Sequence, residues 1–551
     1  MVSSKHSKRC LQETGFCIMS QQQHSIKIAR KLRAHRIFGG IKPLALKARS
    51  LRSRIMPAPI PEILILPLLQ HQGSPAAPIV NVGDQVLKYQ LLAAAEGPPS
   101  VPVHAPTSGE ITAITDSPIP GHGEQSGRCI LLRADGEDNA IDLQPLPDHR
   151  ALNHWQLLER VNSAGICGMG GAGFPTTEKL RASMERGIEL LIINAVECEP
   201  HISADEALIR ERAAAVVSGA EILQSICLAN RCVIAIERDK HDAVKQLRDS
   251  LESSSVELLE LPSKYPTGGE KQIIQAVTGL EVPHDALPMD IGVLVQNAGT
   301  AYAVHDAITE GKPCISRITT LTGAPLQTPK NFDALIGTPV SFLFALCGIE
   351  ESLHTGSIMG GSLMGLDLVS TDVPLIKTSN CLIAKSRAEF PESKPEQACI
   401  RCGYCATACP ARLLPQQLYA YSCNQDLEQL EQLNLADCIE CGACDYVCPS
   451  HIPLVQNFRA SKQTLAIRGQ HSQTSAQWRR RFQFHQYRLK KEADAAQENK
   501  SAHRTAPEAD YEEGGFSRDK ARQEITAAVE RVATRRRNRI TSSGESDQER
   551  H

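Results

Sequence analysis

The chain has 551 residues, 42% of them apolar, 4% aromatic and 22% charged, with a net charge of −3. That length supports roughly three or four domains, and no apolar run nears the ~18 residues of a membrane helix; no secretory signal is read near Met1, so a soluble or peripheral protein is expected. The nineteen cysteines are an odd number, and eight of them fall in two identical arrays, which argues for metal in a reducing cytoplasm rather than a disulfide framework.

In chain order, residues 1–36 read as a basic N-terminal extension. Residues 1–56 carry thirteen Lys/Arg against the single acid Glu13, while the body of the chain is acidic. A basic arm, dense from Lys27 to Arg54, suits an anionic surface: membrane headgroups, nucleic acid or an acidic subunit. A solvated leader with Met19 as an alternative start is the plainer reading. Residues 37–150 form a β-sandwich module, with strands at 63–69, 79–82, 86–87, 109–114 and 129–132 between turn signals. VNVGDQVLKYQLLA followed by VHAPTSGEITAI resembles a lipoyl-carrier sandwich. Where a carrier would offer a Lys, this chain has His104-Ala105-Pro106-Thr107-Ser108-Gly109, so the module reads as structural.

Residues 151–290 alternate helices (155–164, 203–228, 240–253, from 268) with strands (189–194, 232–236, 256–261), which implies a parallel sheet covered on both faces. Ser203-Ala204-Asp205-Glu206 reads as a capping box. Residues 291–375 are β-rich and read as a small β-grasp-like domain. Residues 385–465 hold the cysteine arrays. From 469 to 551 the chain is polar with mixed charge, and is expected to be a disordered tail with at most a lone helix at 518–537. The fold class is α/β multidomain.

Cys399, Cys402, Cys405 and Cys409 follow C-x2-C-x2-C-x3-C with Pro410 next, and Cys438, Cys441, Cys444 and Cys448 repeat it with Pro449 next. This is the run of bacterial two-cluster ferredoxins, in which the fourth cysteine ligates the other cluster. The expected sets are Cys399, Cys402, Cys405 and Cys448 for one 4Fe–4S cluster, and Cys438, Cys441, Cys444 and Cys409 for the second. Paired zinc knuckles are the alternative. Two such clusters pass single electrons and need a site that loads them.

Gly168-Met169-Gly170-Gly171-Ala172-Gly173 satisfies G-x-G-x-x-G. A dinucleotide fingerprint must follow a strand, yet a helical pattern precedes this loop. A glycine-rich connector is one reading. Bare amides beside Lys179 suit a phosphate or a flavin ring instead. Asn194 through Pro200 lies at the C-terminal end of a strand, where parallel sheets bind ligands.

Taken with Gly39-Gly40-Ile41-Lys42-Pro43, residues 104–109, Glu197-Cys198-Glu199-Pro200, Tyr265-Pro266-Thr267-Gly268-Gly269-Glu270 and residues 295–300, the set resembles the flavin subunit of respiratory NADH dehydrogenases. It resembles more closely the C subunit of the Rnf electron-transport complex, over about residues 36–460. The resemblance implies an SLBB-like β-rich domain, a non-covalent FMN, and NADH as substrate. It implies that Gly168, Gly170, Gly171, Gly173 and Lys179 line the FMN, and that Asn194, Asn297 and Thr300 touch its polar edges. Phe174, Glu199 and Glu270 would form the nicotinamide pocket, the two glutamates being the catalytic candidates. The plainer readings are that Glu197 and Glu199 cap the next turn and that Asn297 is a turn residue. The NADH dehydrogenase subunit has Arg where Met169 stands and Asp where Val196 stands. The Rnf pattern often has His where Lys42 stands. The expected protein is a peripheral electron-transfer subunit of an ion-translocating complex on the cytoplasmic face of the bacterial inner membrane. Its expected partners are the other subunits and the membrane surface, reached through the basic arm, with no nucleic acid. A soluble cobalamin reductase or a non-catalytic electron-transfer scaffold are the alternatives.

Overall fold

Four parallel strands organise the centre of the computed structural model, which describes residues 28–505, apart from 30, 122 and 393, together with 518–543. Most of the expected basic extension, residues 1–27, lies outside the described residues. The sheet runs Glu257–Leu261, Arg231–Glu237, Leu190–Ala195, Val293–Asn297, every pair parallel. Successive residues of Leu190–Ala195 face opposite ways. Leu191 and Ile193 join a core with Leu208, Val216 and Leu223 of the helix Ala204–Cys227. Leu190 and Ile192 join another with Ile273, Ile274 and Val277 of the helix Glu270–Thr278. A strand buried on both faces must be apolar throughout, which is why LLII is legible as one.

Ser203 does precede a helix, but its hydroxyl does not cap it. It lies 2.7 Å from Ser50 Oγ and donates to Asn331. The cap comes from outside the helix instead: Glu197 Oε1 accepts from the Asp205 N–H at 2.9 Å. A carboxylate there also suits the positive end of the helix dipole.

Two expected boundaries move. Val293–Asn297 is the fourth parallel strand and leads into the helix Ala298–His305, so the central domain continues past 290 to about Glu310. The β-rich domain is a six-stranded mixed sheet in the order Met56–Pro57, Lys330–Leu335, Ser316–Thr322, Cys381–Lys385, Gly356–Met359, Leu366–Leu368. It therefore runs beyond 375, because Cys381 and Ile383 feed one core while Leu382 and Ala384 feed another. The first module is two antiparallel sheets, one of four strands and one of three. The run at 79–82 is not a strand there; pairing falls on Ala77–Pro78, and Ile79 and Val82 are exposed.

Residues 37–55 are a strap rather than a free arm. Gly40 N–H donates to Ala408 O, Ile41 bridges to Tyr265, Leu46 N–H donates to Pro200 O, and Arg49 donates to the carbonyls of Gly323 and Leu326. Lys47 is buried against Glu197. The positive charge from Lys42 to Arg54 is thus partly consumed inside the molecule, although Lys42, Arg52 and Arg54 stay exposed.

The chain divides into two units, one ending at Leu465 and one beginning at Ala466. The described part of the tail expected to be disordered from 469 is helical: a helix spans Leu454–Thr505, and another, Arg518–Ser543, contains the lone helix expected at 518–537. Gln, Ala, Lys, Arg and Glu are strong helix formers, and no proline follows Pro453 before residue 506. Its first turns pack through Leu454, Val455 and Phe458, but every residue from 466 to 501 is exposed, so there composition rather than packing makes the helix. Among the described residues no helix is long and apolar enough to cross a membrane.

Candidate functional site

The strand order reverses direction between Leu190–Ala195 and Val293–Asn297, and open parallel sheets bind ligands at the carboxyl ends of such a pair. Asn194 and Asn297 face each other there in register. The glycine loop arrives at this point. A Cβ added to Gly170 would lie 3.4 Å from Asn297 Cβ, and one on Gly171 (φ +111°) would meet nothing within 4 Å. Both glycines are exposed, which leaves a bare backbone floor able to take a flat ring. Met169 N–H donates to Thr300 Oγ1 at 3.0 Å, and buried Arg317 grips the Met169 carbonyl from behind. Asn297 caps Ala298–His305 through Gly299 N–H and donates to Asp205 Oδ2 at 2.6 Å. Asn194 donates to Gly268 O at 2.9 Å.

Lys179 stands in the helix Thr176–Met184 just after the loop. It pairs with Glu270 at 2.5 Å and donates to Val295 O at 2.7 Å. The fold therefore gathers Gly170, Gly171, Lys179, Asn194, Glu270 and Asn297 at one end of the sheet, with Thr300 fully buried beneath the loop; Gly168 lies against Phe174, which is exposed, and buried Gly173 faces Thr378 and His71 instead of the sheet. Glu199 is engaged elsewhere. Its carboxylate accepts from the Leu363 and Met364 N–H groups at 3.1 and 3.0 Å. Burial raises its pKa, and those two amides partly offset the shift.

The turn 265–270 reaches a second site. Tyr265, almost fully buried, donates to Cys441 O at 2.6 Å. The array cysteines line two pockets. One holds Cys399, Cys402, Cys405 and Cys448 with Ile452 and Leu454; the other holds Cys409, Cys438, Cys441 and Cys444 with Leu413, Val455 and Phe458. Among the described residues no three His, Cys, Asp or Glu side chains converge on a single-ion site. The two loops repeat each other in backbone conformation: Arg401, Gly403 and Arg412 have positive φ, and so do Glu440, Gly442 and His451 at the same offsets. Burial pushes the thiols of Cys409, Cys438 and Cys441 up, the last to about 12. A bound cationic centre would hold such groups as thiolates. Four thiols per pocket among apolar neighbours fit a 4Fe–4S cluster in each.

Sequence reasoning passed over Lys47, Arg317 and the contact made by Tyr265. Arg317 is the lone charge in the β-branched and hydroxyl-rich run CISRITTLT, and an isolated cation in a strand pattern is the signal that marks it.

The family described as the Nuo51 FMN-binding domain matches residues 161–306, the RnfC barrel sandwich hybrid domain residues 35–137, and the 4Fe-4S dicluster domain residues 398–452. The C subunit of the ion-translocating oxidoreductase complex of Pseudomonas aeruginosa is 48% identical over 460 residues, covering 84% of this chain and 59% of its own length. Its counterpart in Yersinia pestis is 46% identical over 455 residues, covering 82% and 73%. The chain belongs to this RnfC family. It spans less than two thirds of the Pseudomonas relative's length. The RnfC architecture here means a barrel-sandwich hybrid, an FMN-binding domain and a 4Fe–4S dicluster domain in one chain. An NAD+-reducing [NiFe]-hydrogenase structure is similar at 17% identity with a TM-score of 0.42, over 56% of this chain and 61% of that one.

Proposed function

We propose that the chain is a peripheral electron-transfer subunit of a membrane-bound ion-translocating complex, oxidising NADH at an FMN and passing electrons through two 4Fe–4S clusters to partner subunits. One observation carries the reading: the turn 265–270 supplies Glu270 to the glycine-loop site and Tyr265 to the Cys441 carbonyl, so one short turn joins both centres. FMN, when bound, accepts two electrons as hydride and releases them singly. The chain's own groups do the rest. Gly168, Gly170, Gly171 and Gly173 offer backbone to the ring, Asn194, Asn297 and Thr300 position its polar edges, and Lys179 supplies positive charge while Glu270 orients it. Phe174 caps the open side for the nicotinamide. Glu199 acts as a tie between domains rather than as a catalytic residue. Cys399, Cys402, Cys405 and Cys448 hold one cluster, and Cys438, Cys441, Cys444 and Cys409 the other.

The finer assignments belong to the same reading: a lipoyl-like first module, an SLBB-like β-rich domain, and residence on the cytoplasmic face of the inner membrane. The basic stretch ending at Arg36 faces anionic lipid, which attracts Lys and Arg there. Equal vesicle flotation with and without residues 1–36 would remove that role. The main test is anaerobic reconstitution followed by NADH. Flavin bleaching and cluster reduction are expected, and an unbleached flavin with oxidised clusters would leave a non-catalytic scaffold.

A further inference from the structure

Residues 466–491, in the helix Leu454–Thr505, hold seven Lys/Arg (Arg468, Arg479, Arg480, Arg481, Arg488, Lys490 and Lys491) and no acid, and they contain four of the chain's aromatics, Trp478, Phe482, Phe484 and Tyr487. All are exposed; Trp478 is 63% accessible, Phe482 62% and Leu489 46%.

Helical geometry sorts them. At ~100° per residue, Ile467, Trp478, Phe482 and Leu489 fall within about 60° of one another, with His471, Thr474 and His485 on the same line. Arg468, Arg479 and Lys490 border this stripe on one side, and Arg481 and Arg488 on the other. The Arg481 guanidinium lies 5.3 Å from the Trp478 ring centroid. Phe484 and Tyr487 fall on the far side, beside Arg480 and Lys491.

We propose that residues 466–491 lie in the plane of an anionic lipid bilayer, with the Ile467–Trp478–Phe482–Leu489 stripe among the acyl chains and the flanking cations on phosphate headgroups. Four apolar side chains on one line, interrupted only by His471, Thr474 and His485 and edged by cations on both sides, on a helix too polar to span, fit an interfacial helix. Tryptophan favours the headgroup boundary, with its ring in the apolar layer and its N–H in water. Nucleic acid would satisfy the cations and leave the stripe in water. The segment is ~39 Å long, enough to rest along a surface. This proposal is independent of the electron-transfer reading, since it uses no residue of the flavin or cysteine sites.

The experiment uses the full chain, purified anaerobically. Trp155→Phe leaves Trp478 as the sole tryptophan. Vesicles of phosphatidylglycerol with phosphatidylcholine should float the protein, blue-shift Trp478 emission and shield it from an aqueous quencher; phosphatidylcholine alone should not. In the native background the triple variant Trp478→Ala, Phe482→Ala, Leu489→Ala should lower flotation on the order of tenfold with helicity unchanged by circular dichroism. Phe484→Ala with Tyr487→Ala should float as before. The proposal falls if the triple variant floats undiminished, if Trp478 stays open to quencher on floated protein, if no anionic vesicle is bound, or if duplex DNA produces the same emission shift. NADH reducibility should be the same in every variant, so loss of that activity would bear on the electron-transfer reading alone.

Discussion

Two glycines of one loop carry different demands, and the difference is measurable. Gly173 has φ +65°, and an added Cβ would lie 2.8 Å from Thr378 Cγ2. Gly173→Ala should therefore destabilise the fold by about 1–2 kcal/mol, read by denaturant unfolding. Gly170 has neither a positive φ nor a clash. Gly170→Ala should leave stability within about 0.5 kcal/mol while cutting flavin retention several-fold, read by flavin content after gel filtration. A stability loss equal to that of Gly173→Ala would make Gly170 structural. His104 gives a pH prediction. Burial, then the nearby Lys377 charge, lowers its pKa to about 3. Above pH ~6.5 the imidazole is neutral folded or unfolded. As pH falls below that, the unfolded chain binds a proton that the fold refuses, and stability drops by about 1.4 kcal/mol per pH unit from this group. His104→Gln should flatten the fall in Tm between pH 7 and 5; an unchanged slope would assign it to other groups.

At the scale of elements, the strap depends on a buried ion pair. Lys47 and Glu197 are each 7% exposed, and Glu197 also caps the helix Ala204–Cys227. Lys47→Ala leaves that carboxylate buried without its cation and should destabilise by about 3–5 kcal/mol. Adding Glu197→Gln should recover part of the loss, and a variant as stable as the native chain would show that the strap does not need the pair. Lys47 also shows where legibility ended. The parallel strands were readable because doubly buried strands are apolar throughout, and the arrays because their spacing is dictated by cluster geometry. The strap was not: Lys47 and Arg49 look like part of a solvated arm until Glu197, 150 residues from Lys47, and the carbonyls of Gly323 and Leu326 are folded beside them. In the tail the helix at 518–537 was legible but the one running to Thr505 was not, because charge and low apolarity describe a lone helix as well as a disordered chain. Glu199 was legible as a special residue, but its partners, Leu363 and Met364, are set by tertiary contact alone.

For the whole molecule, the Tyr265 contact ranks the two cysteine sets. The set containing Cys441 adjoins the flavin-side turn, while Cys399 and Cys402 of the other set are exposed. Cys402→Ala should halve the iron content and leave the remaining cluster reducible by NADH. Cys441→Ala should also halve it but leave the surviving cluster oxidised. Electron paramagnetic resonance after NADH addition separates these outcomes, and equal reduction in both variants would remove the order.

The strap's contact with Ala408, where Gly40 donates and a side chain on Gly39 would collide with the Cys409 carbonyl, sets a schedule for biosynthesis. A ribosome delivers Gly40 some 370 residues before its partner. Ile41, Leu46, Lys47 and Arg49 find partners between residues 197 and 326 that emerge earlier, but the Gly39–Gly40 end must wait until the cysteine domain has emerged and found its own shape. If that shape depends on iron, metal delivery becomes the step that closes this last contact, and an iron-starved cell would accumulate a protein whose strap is undocked at its Gly39–Gly40 end.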